Sequence, residues 1–143
     1  MKIKFLLIFL IGHTINATAA RIDTLKIMSP SMQKIIPNLV IIPDSYSASA
    51  KKYPVLYLLH GATDDYKGWV TKVPSIKSYA DQYNFIIVCP DGGYTSWYFD
   101  SPIDKQMQYE TYISKELVGT IDHKYNTLAQ KRGRAITGLS MGG

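Results

Sequence analysis

Cysteine is nearly missing from this sequence: Cys89 is the single one in 143 residues, so an internal disulfide cannot form. It lies in the apolar run Phe85 to Cys89 and reads as a small buried hydrophobe. Charge of one sign is weak as well. The formal net charge is +5, and the basic residues are scattered rather than clustered, which gives nucleic-acid binding little support. There are no internal repeats and no low-complexity stretches. No motif asks for a metal or any other cofactor. Histidine is scarce, with only His13, His60 and His123. What remains, 46% hydrophobic and 19% charged residues, is ordinary for one globular domain.

The one long apolar run near the start, Phe5 to Ile11, follows Lys2 and Lys4 and precedes Asn16-Ala17-Thr18-Ala19-Ala20. Basic, apolar and small residues in that order predict a secretory signal peptide over 1–20, with an Ala17-x-Ala19 cleavage pattern. The mature chain is expected to begin at Ala20 or Arg21, secreted or periplasmic. A membrane anchor is the competing reading, but a spanning helix needs about 20 apolar residues. Gly12, His13, Thr14 and Asn16 interrupt this run early. No cysteine follows it, so no lipid anchor is indicated. Loss of the leader removes two lysines and no acid, lowering the net charge to +3.

Within residues 21–143, alternating polar and apolar residues predict strands over Asp23 to Met28 and Ile35 to Ile42. Pro37 suggests an edge position or a bulge in the second. Val55-Leu56-Tyr57-Leu58-Leu59 and Phe85 to Cys89 are continuously apolar, the habit of parallel strands covered on both faces. Ile76, Tyr79, Ala80 and Tyr83 recur at helical spacing, as do Tyr109, Tyr112, Ile113, Leu117, Ile121 and Tyr125. Ala135-Ile136-Thr137 is a short strand running into a glycine-rich turn. Strands alternating with helices predict an α/β fold, a mostly parallel sheet with helices on both faces. Active sites in such sheets lie beyond the carboxyl ends of the strands. Those ends are His60-Gly61-Ala62, Pro90-Asp91-Gly92 and Gly138-Leu139-Ser140.

Gly138-Leu139-Ser140-Met141-Gly142 matches G-x-S-x-G, and the pattern has a steric reason. A serine on a tight strand-to-helix turn is strained and exposed, and side chains two residues to either side would collide. A glycine-rich structural turn is the plain alternative. The strand immediately before it favours Ser140 as a nucleophile, with Gly138 and Gly142 as the elbow glycines. Attack on an ester carbonyl then requires N–H donors for the oxyanion. The N–H of Met141 is one candidate, and the loop after the third strand offers that of Ala62. Each such donor contributes about 2.7–4 kcal/mol to the transition state. His60-Gly61 could equally be a turn that merely ends a strand.

A serine hydrolase of this kind needs a carboxylate and a histidine after the serine. Three residues follow Ser140, and all three histidines precede it. His60 is fixed by the turn it starts, and His123 is a solvated helix residue. The acid and base are therefore expected outside these residues, the sequence being the N-terminal part of a catalytic domain and inactive alone.

Beyond the elbow, the blocks Ser29-Pro30-Ser31-Met32, Tyr53-Pro54-Val55-Leu56-Tyr57-Leu58-Leu59-His60-Gly61, Asp64-Asp65-Tyr66-Lys67-Gly68-Trp69, Pro90-Asp91-Gly92-Gly93 and Ser96-Trp97-Tyr98 stand in sequence order. With Tyr109-Glu110-Thr111-Tyr112, they make the chain resemble the esterase D group of the α/β-hydrolases from about Ile22 to Gly143. That group includes S-formylglutathione hydrolases, feruloyl, acetylxylan and tributyrin esterases, and the secreted mycolyltransferases. The resemblance implies an α/β-hydrolase fold, here truncated after the elbow, and assigns oxyanion-hole N–H groups to Ala62 and Met141. Relatives continue for a further half-chain that carries the acid and the histidine.

These readings converge on a secreted serine carboxylic-ester hydrolase working through an acyl-enzyme on Ser140. Its substrate would be a small-molecule or polysaccharide ester, with Trp69 and Trp97 as candidate contacts or, equally, loop packing. Acyl transfer to a sugar hydroxyl is the alternative enzyme, and a non-catalytic carbohydrate-binding remnant is the alternative of another class.

Overall fold

The computed structural model describes residues 19–46 and 51–143. The predicted leader, apart from Ala19 and Ala20, lies outside the described residues. Strands β1 (Arg21–Ser29) and β2 (Lys34–Ile42) form an antiparallel hairpin in unbroken register from Arg21↔Ile42 to Ser29↔Lys34. Gln33, at φ +53°, closes the turn by donating its N–H to the Ser29 carbonyl at 2.8 Å. Both strands extend slightly beyond the ranges expected from the alternation.

Three further strands follow: β3 (Val55–Leu59), β4 (Ile86–Pro90) and β5 (Arg134–Gly138). The sheet order is β1-β2-β4-β3-β5. β3 pairs in parallel with both β4 and β5, whereas β2 is antiparallel to both of its neighbours. The sheet is therefore mixed, which corrects the expectation of a mostly parallel one. The short β1–β2 turn permits only antiparallel pairing, while the helices after β3 and β4 carry the chain back for parallel pairing.

Pro37 also sits differently from expectation, inside an internal strand and without a bulge. The β2–β4 register runs from Asn38↔Pro90 to Leu39↔Cys89, Val40↔Val88 and Ile41↔Ile87, so β4 has ended beside Pro37. The N–H and C=O of one strand residue point to the same side. The Pro37 carbonyl accepts the Asp91 N–H at 3.1 Å on that side, and the N–H that proline lacks has no strand to meet.

Alternation of side chains sorts the sheet into two cores. On one face Val40, Ile42, Val55, Tyr57, Ile86 and Val88 pack against Tyr112, Ile113, Leu117 and Ile121. On the other, Leu39, Ile41, Ile87 and Cys89 pack against Ile76 and Ala80 of α2 (Ile76–Tyr83), which follows α1 (Gly68–Lys72). Helices thus cover both faces. Burial pushes the Cys89 thiol up to about 12, so it stays protonated and unreactive at neutral pH. Tyr79 and Tyr83, which share the helical spacing, remain exposed.

The predicted long amphipathic helix is α3 (Tyr109–Thr111), a π-helical segment (Tyr112–Leu117) and α4 (Val118–Lys124). Its apolar residues explain the interruption. Tyr109, Ile113, Leu117, Ile121 and Tyr125 recur every fourth position, all buried. At 100° per residue that stripe would drift about 160° over its length in a regular α-helix. The wider π turn takes up part of the drift and keeps the stripe on the sheet.

Asn38 ties this helix to the hairpin. Its buried amide donates to Tyr112 Oη at 2.8 Å and to the Ile36 and Leu25 carbonyls, while Tyr112 donates to Asn38 Oδ1 at 3.0 Å. Asn38→Leu leaves the Tyr112 hydroxyl buried without its partner. It should lower unfolding stability by about 1–3 kcal/mol in urea titrations, and an unchanged midpoint would contradict this account.

Candidate active site

Parallel pairing of β3 with β5 brings two loop beginnings together. The register ends at Leu59↔Gly138, and the Leu139 N–H still donates to the Leu59 carbonyl at 3.2 Å. His60-Gly61-Ala62 therefore leaves the sheet beside Leu139-Ser140-Met141. A methyl group built on Gly61 would stand 3.6 Å from Ser140 Cβ.

Ser140 has φ +53°, a left-handed backbone that a side chain rarely adopts, and its residue is exposed. It opens a short 3₁₀ turn, Ser140–Gly142. The need for glycine on both sides is visible in the packing. A Cβ on Gly138 would lie 2.5 Å from the Gly142 carbonyl oxygen and 2.6 Å from that of Leu59. One on Gly142 would lie 2.5 Å from Leu59 Cβ. Backbone atoms cannot move aside as a flexible side chain would.

The turn's own hydrogen bonds run from the Gly142 N–H to Leu139 O and from the Gly143 N–H to Ser140 O, each 2.9 Å. Met141 N–H precedes them and is one of the donors that a helical start leaves unused. Among the described residues the Ala62 N–H likewise donates to no protein acceptor, whereas the two residues after it do. Thr63 N–H reaches the Tyr94 carbonyl at 2.9 Å and Asp64 N–H that of Gly61 at 3.3 Å. The N–H groups of Ala62 and Met141 are thus both without a protein acceptor among the described residues.

His60 has a different task from base catalysis. Its ring is buried, with Nε2 accepting the Gly92 N–H at 2.9 Å and Nδ1 at 2.8 Å from the Gly61 carbonyl. Gly92 can only donate, so the Nδ1 proton faces Gly61 and both ring nitrogens are spent. The imidazole joins the loops after β3 and β4. Tyr98 reinforces the junction: its hydroxyl accepts the His60 N–H at 3.1 Å, and burial pushes its pKa up from the ordinary phenol value, so it stays protonated. Sequence reading missed this role of Tyr98, whose only signal was its place in the Ser96-Trp97-Tyr98 block. His123 is exposed on α4.

The two tryptophans differ. Trp69 is half-buried, donates its indole N–H to the Leu59 carbonyl at 3.0 Å, and lines a cavity of about 150 Å³ with His60, Gly61, Val73 and Leu139. Trp97 stands exposed at φ +54° on the loop after β4, near Phe99 in sequence. Among the described residues no cluster of His, Cys, Asp or Glu could hold a metal ion, and no helix is long and apolar enough to cross a membrane.

Residues 29–143 match the sequence profile of the family described as "Putative esterase". The chain belongs to that family. Esterase Rv1288 of Mycobacterium tuberculosis is 36% identical over 107 residues, 73% of this chain and 23% of that protein. The diacylglycerol acyltransferase/mycolyltransferase Ag85A of the same organism is 32% identical over 129 residues, 84% of this chain and 36% of that protein. Among solved structures, a ferulic acid esterase superposes with a TM-score of 0.75 at 32% identity, over 86% of this chain and 49% of that one. The fold is that of the α/β-hydrolase esterases, and the chain spans about half the length, or less, of these relatives.

One ion pair guards the loop after β3. Lys72 Nζ lies 2.7 Å from Asp64 Oδ2, and this hydrogen bond holds the Asp64 carboxyl below its ordinary value against the opposing effect of desolvation. A carboxylate with a lowered folded-state pKa adds stability above its unfolded value of about 3.9, and that stability is lost as pH falls through the lowered one. In an NMR titration Asp64 should ionise below the usual carboxylate range, and Lys72→Met should return it there. An unmoved midpoint in the variant would show that Lys72 is not the cause.

Proposed function

We propose that this chain carries the nucleophile and oxyanion hole of a secreted carboxylic-ester hydrolase, with Ser140 as nucleophile. The observation that carries the proposal is the exposed left-handed Ser140 flanked by two unspent N–H groups, Ala62 and Met141. Ser140 Oγ attacks the ester carbonyl, and its proton passes to a histidine base. The carbonyl oxygen takes the negative charge and is held by the two N–H groups. Collapse of the tetrahedral adduct expels the alcohol, which takes up the proton from the base. Water then attacks the acyl-enzyme, releasing the acid and regenerating the serine hydroxyl. Fixed N–H dipoles suit this chemistry because they need no reorganisation when the charge appears.

No histidine among the described residues is placed to act as the base for Ser140. His60 is spent in joining loops and His123 is exposed on α4, so neither described histidine serves Ser140. The basic, apolar and small residues that follow one another over 1–20 support export. Acyl transfer to a sugar hydroxyl uses the same groups, and the similarity to Ag85A over 84% of this chain keeps it as the second reading.

The test uses the full-length exported protein and p-nitrophenyl acetate. Ser140→Ala should reduce kcat by about 10⁶-fold, the scale on which a triad serine acts, with the melting transition unchanged. A variant retaining a tenth of the activity would show that the nucleophile lies elsewhere. Residues 21–143 alone should give neither turnover nor a cooperative melt, since β5 presents an unpaired edge with Ile136 60% exposed. A sugar acceptor that diverts the acyl group from water would identify the transferase.

A further inference from the structure

We propose that Asp81 is the receptor for a processed amino terminus at Ala20, created by cleavage of the Ala19–Ala20 bond. The proposal rests on the reading of residues 1–19 as a leader and does not depend on the chemistry of Ser140. Two observations of different kind meet at this bond. In sequence, Ala17-Thr18-Ala19 ends the leader with small residues at the two positions that a signal peptidase reads. In structure, Ala19 is exposed and Ala20 is fully buried, so the boundary between the outside and the folded body falls between them.

Ala20 is held by both its side chain and its main chain. The methyl group packs in the core formed by Leu39, Ile41, Ile76, Ala80, Ile87 and Cys89. Its nitrogen donates to Asp81 Oδ2 at 3.0 Å, while the other carboxylate oxygen accepts the Asp44 N–H at 2.7 Å. One carboxylate on α2 thus grips the start of β1 and the end of β2. Arg21, the nearest cation in sequence, is engaged elsewhere, with Nε 3.7 Å from Asp23 and the guanidinium over the Tyr46 ring.

While the leader is attached, Ala20 offers Asp81 a neutral amide. Hydrolysis of the Ala19–Ala20 bond adds water across it, leaving a carboxylate on Ala19 and an ammonium on Ala20. The ammonium brings a full positive charge and three donors to the same carboxylate, converting a hydrogen bond into an ion pair. A start at Arg21 would discard both the buried methyl group and the contact with Asp81. Because Ala20 is buried in the fold, cleavage comes before β1 docks, so the final closure of this corner follows export.

The experiment takes the full-length exported protein. Its intact mass and N-terminal sequence should give Ala20 as first residue, and a start at Arg21 or Met1 overturns the proposal. At pH 7 the Ala20 α-amine should react with an amine-acetylating reagent about tenfold more slowly than the same amine in an Ala-Arg-Ile peptide, because pairing with the Asp81 carboxylate favours the unreactive ammonium. Asp81→Asn should remove most of that protection, whereas Asp81→Glu should keep part of it. Peptide-like reactivity in the unmutated protein means that no ion pair forms. Sequencing and wild-type labelling require no variant, so a misfolded Asp81→Asn leaves the test decisive, and Ser140→Ala should change neither result.

Discussion

The end of strand β3, at Leu59, is the point on which the site depends. Its carbonyl accepts the Leu139 N–H just after β5 and the Trp69 indole N–H from α1, fixing two neighbouring segments to one atom. Its Cβ and carbonyl occupy the space that Gly138 and Gly142 leave open. The turn carrying Ser140 can press this close to β3 only because those two residues have no side chain. Close approach in turn aligns the loop Gly61-Ala62 with Ser140-Met141. Pairing register, glycine placement and N–H direction are therefore one constraint seen from three sides.

Around that point the molecule spends polar groups on holding loops together. His60 and Tyr98 bind the loop after β4 to the loop after β3 through three main-chain groups, the His60 N–H and carbonyl and the Gly92 N–H, while the Gly61 carbonyl fixes the imidazole within its own loop. Buried hydrogen bonds are rigid because breaking any one strands its partner away from water. A rigid frame suits a pocket whose value lies in dipoles fixed before charge develops. The loop beyond it presents Trp97 and Phe99 to solvent.

Much of this was legible in the sequence for identifiable reasons. Continuous apolar runs marked β3 and β4, and fourfold recurrence of apolar residues marked the helix after Tyr109. The glycines of the G-x-S-x-G pattern announced a steric need that the packing displays at Gly138 and Gly142. The mixed pairing of the sheet was hidden, because strand direction depends on which strands become neighbours, and β2 lies beside β4 rather than β3. Pro37 misled for a related reason: where β4 stops is a property of the partner strand. His60 as a bridge between loops was also invisible, since Gly92 is 32 residues away. Periodicity reports the face a residue turns to the core, and it carries no news of distant partners.

The central claim is that the hydroxyl of Ser140 is the nucleophile held by this frame. Treating the full-length exported protein with diisopropyl fluorophosphate and mapping the peptides by mass spectrometry tests it directly. A single diisopropylphosphoryl adduct on Ser140, formed in step with the loss of esterase activity, is the predicted result. Activity lost with the adduct on another residue, or full activity retained with Ser140 modified, would contradict the account.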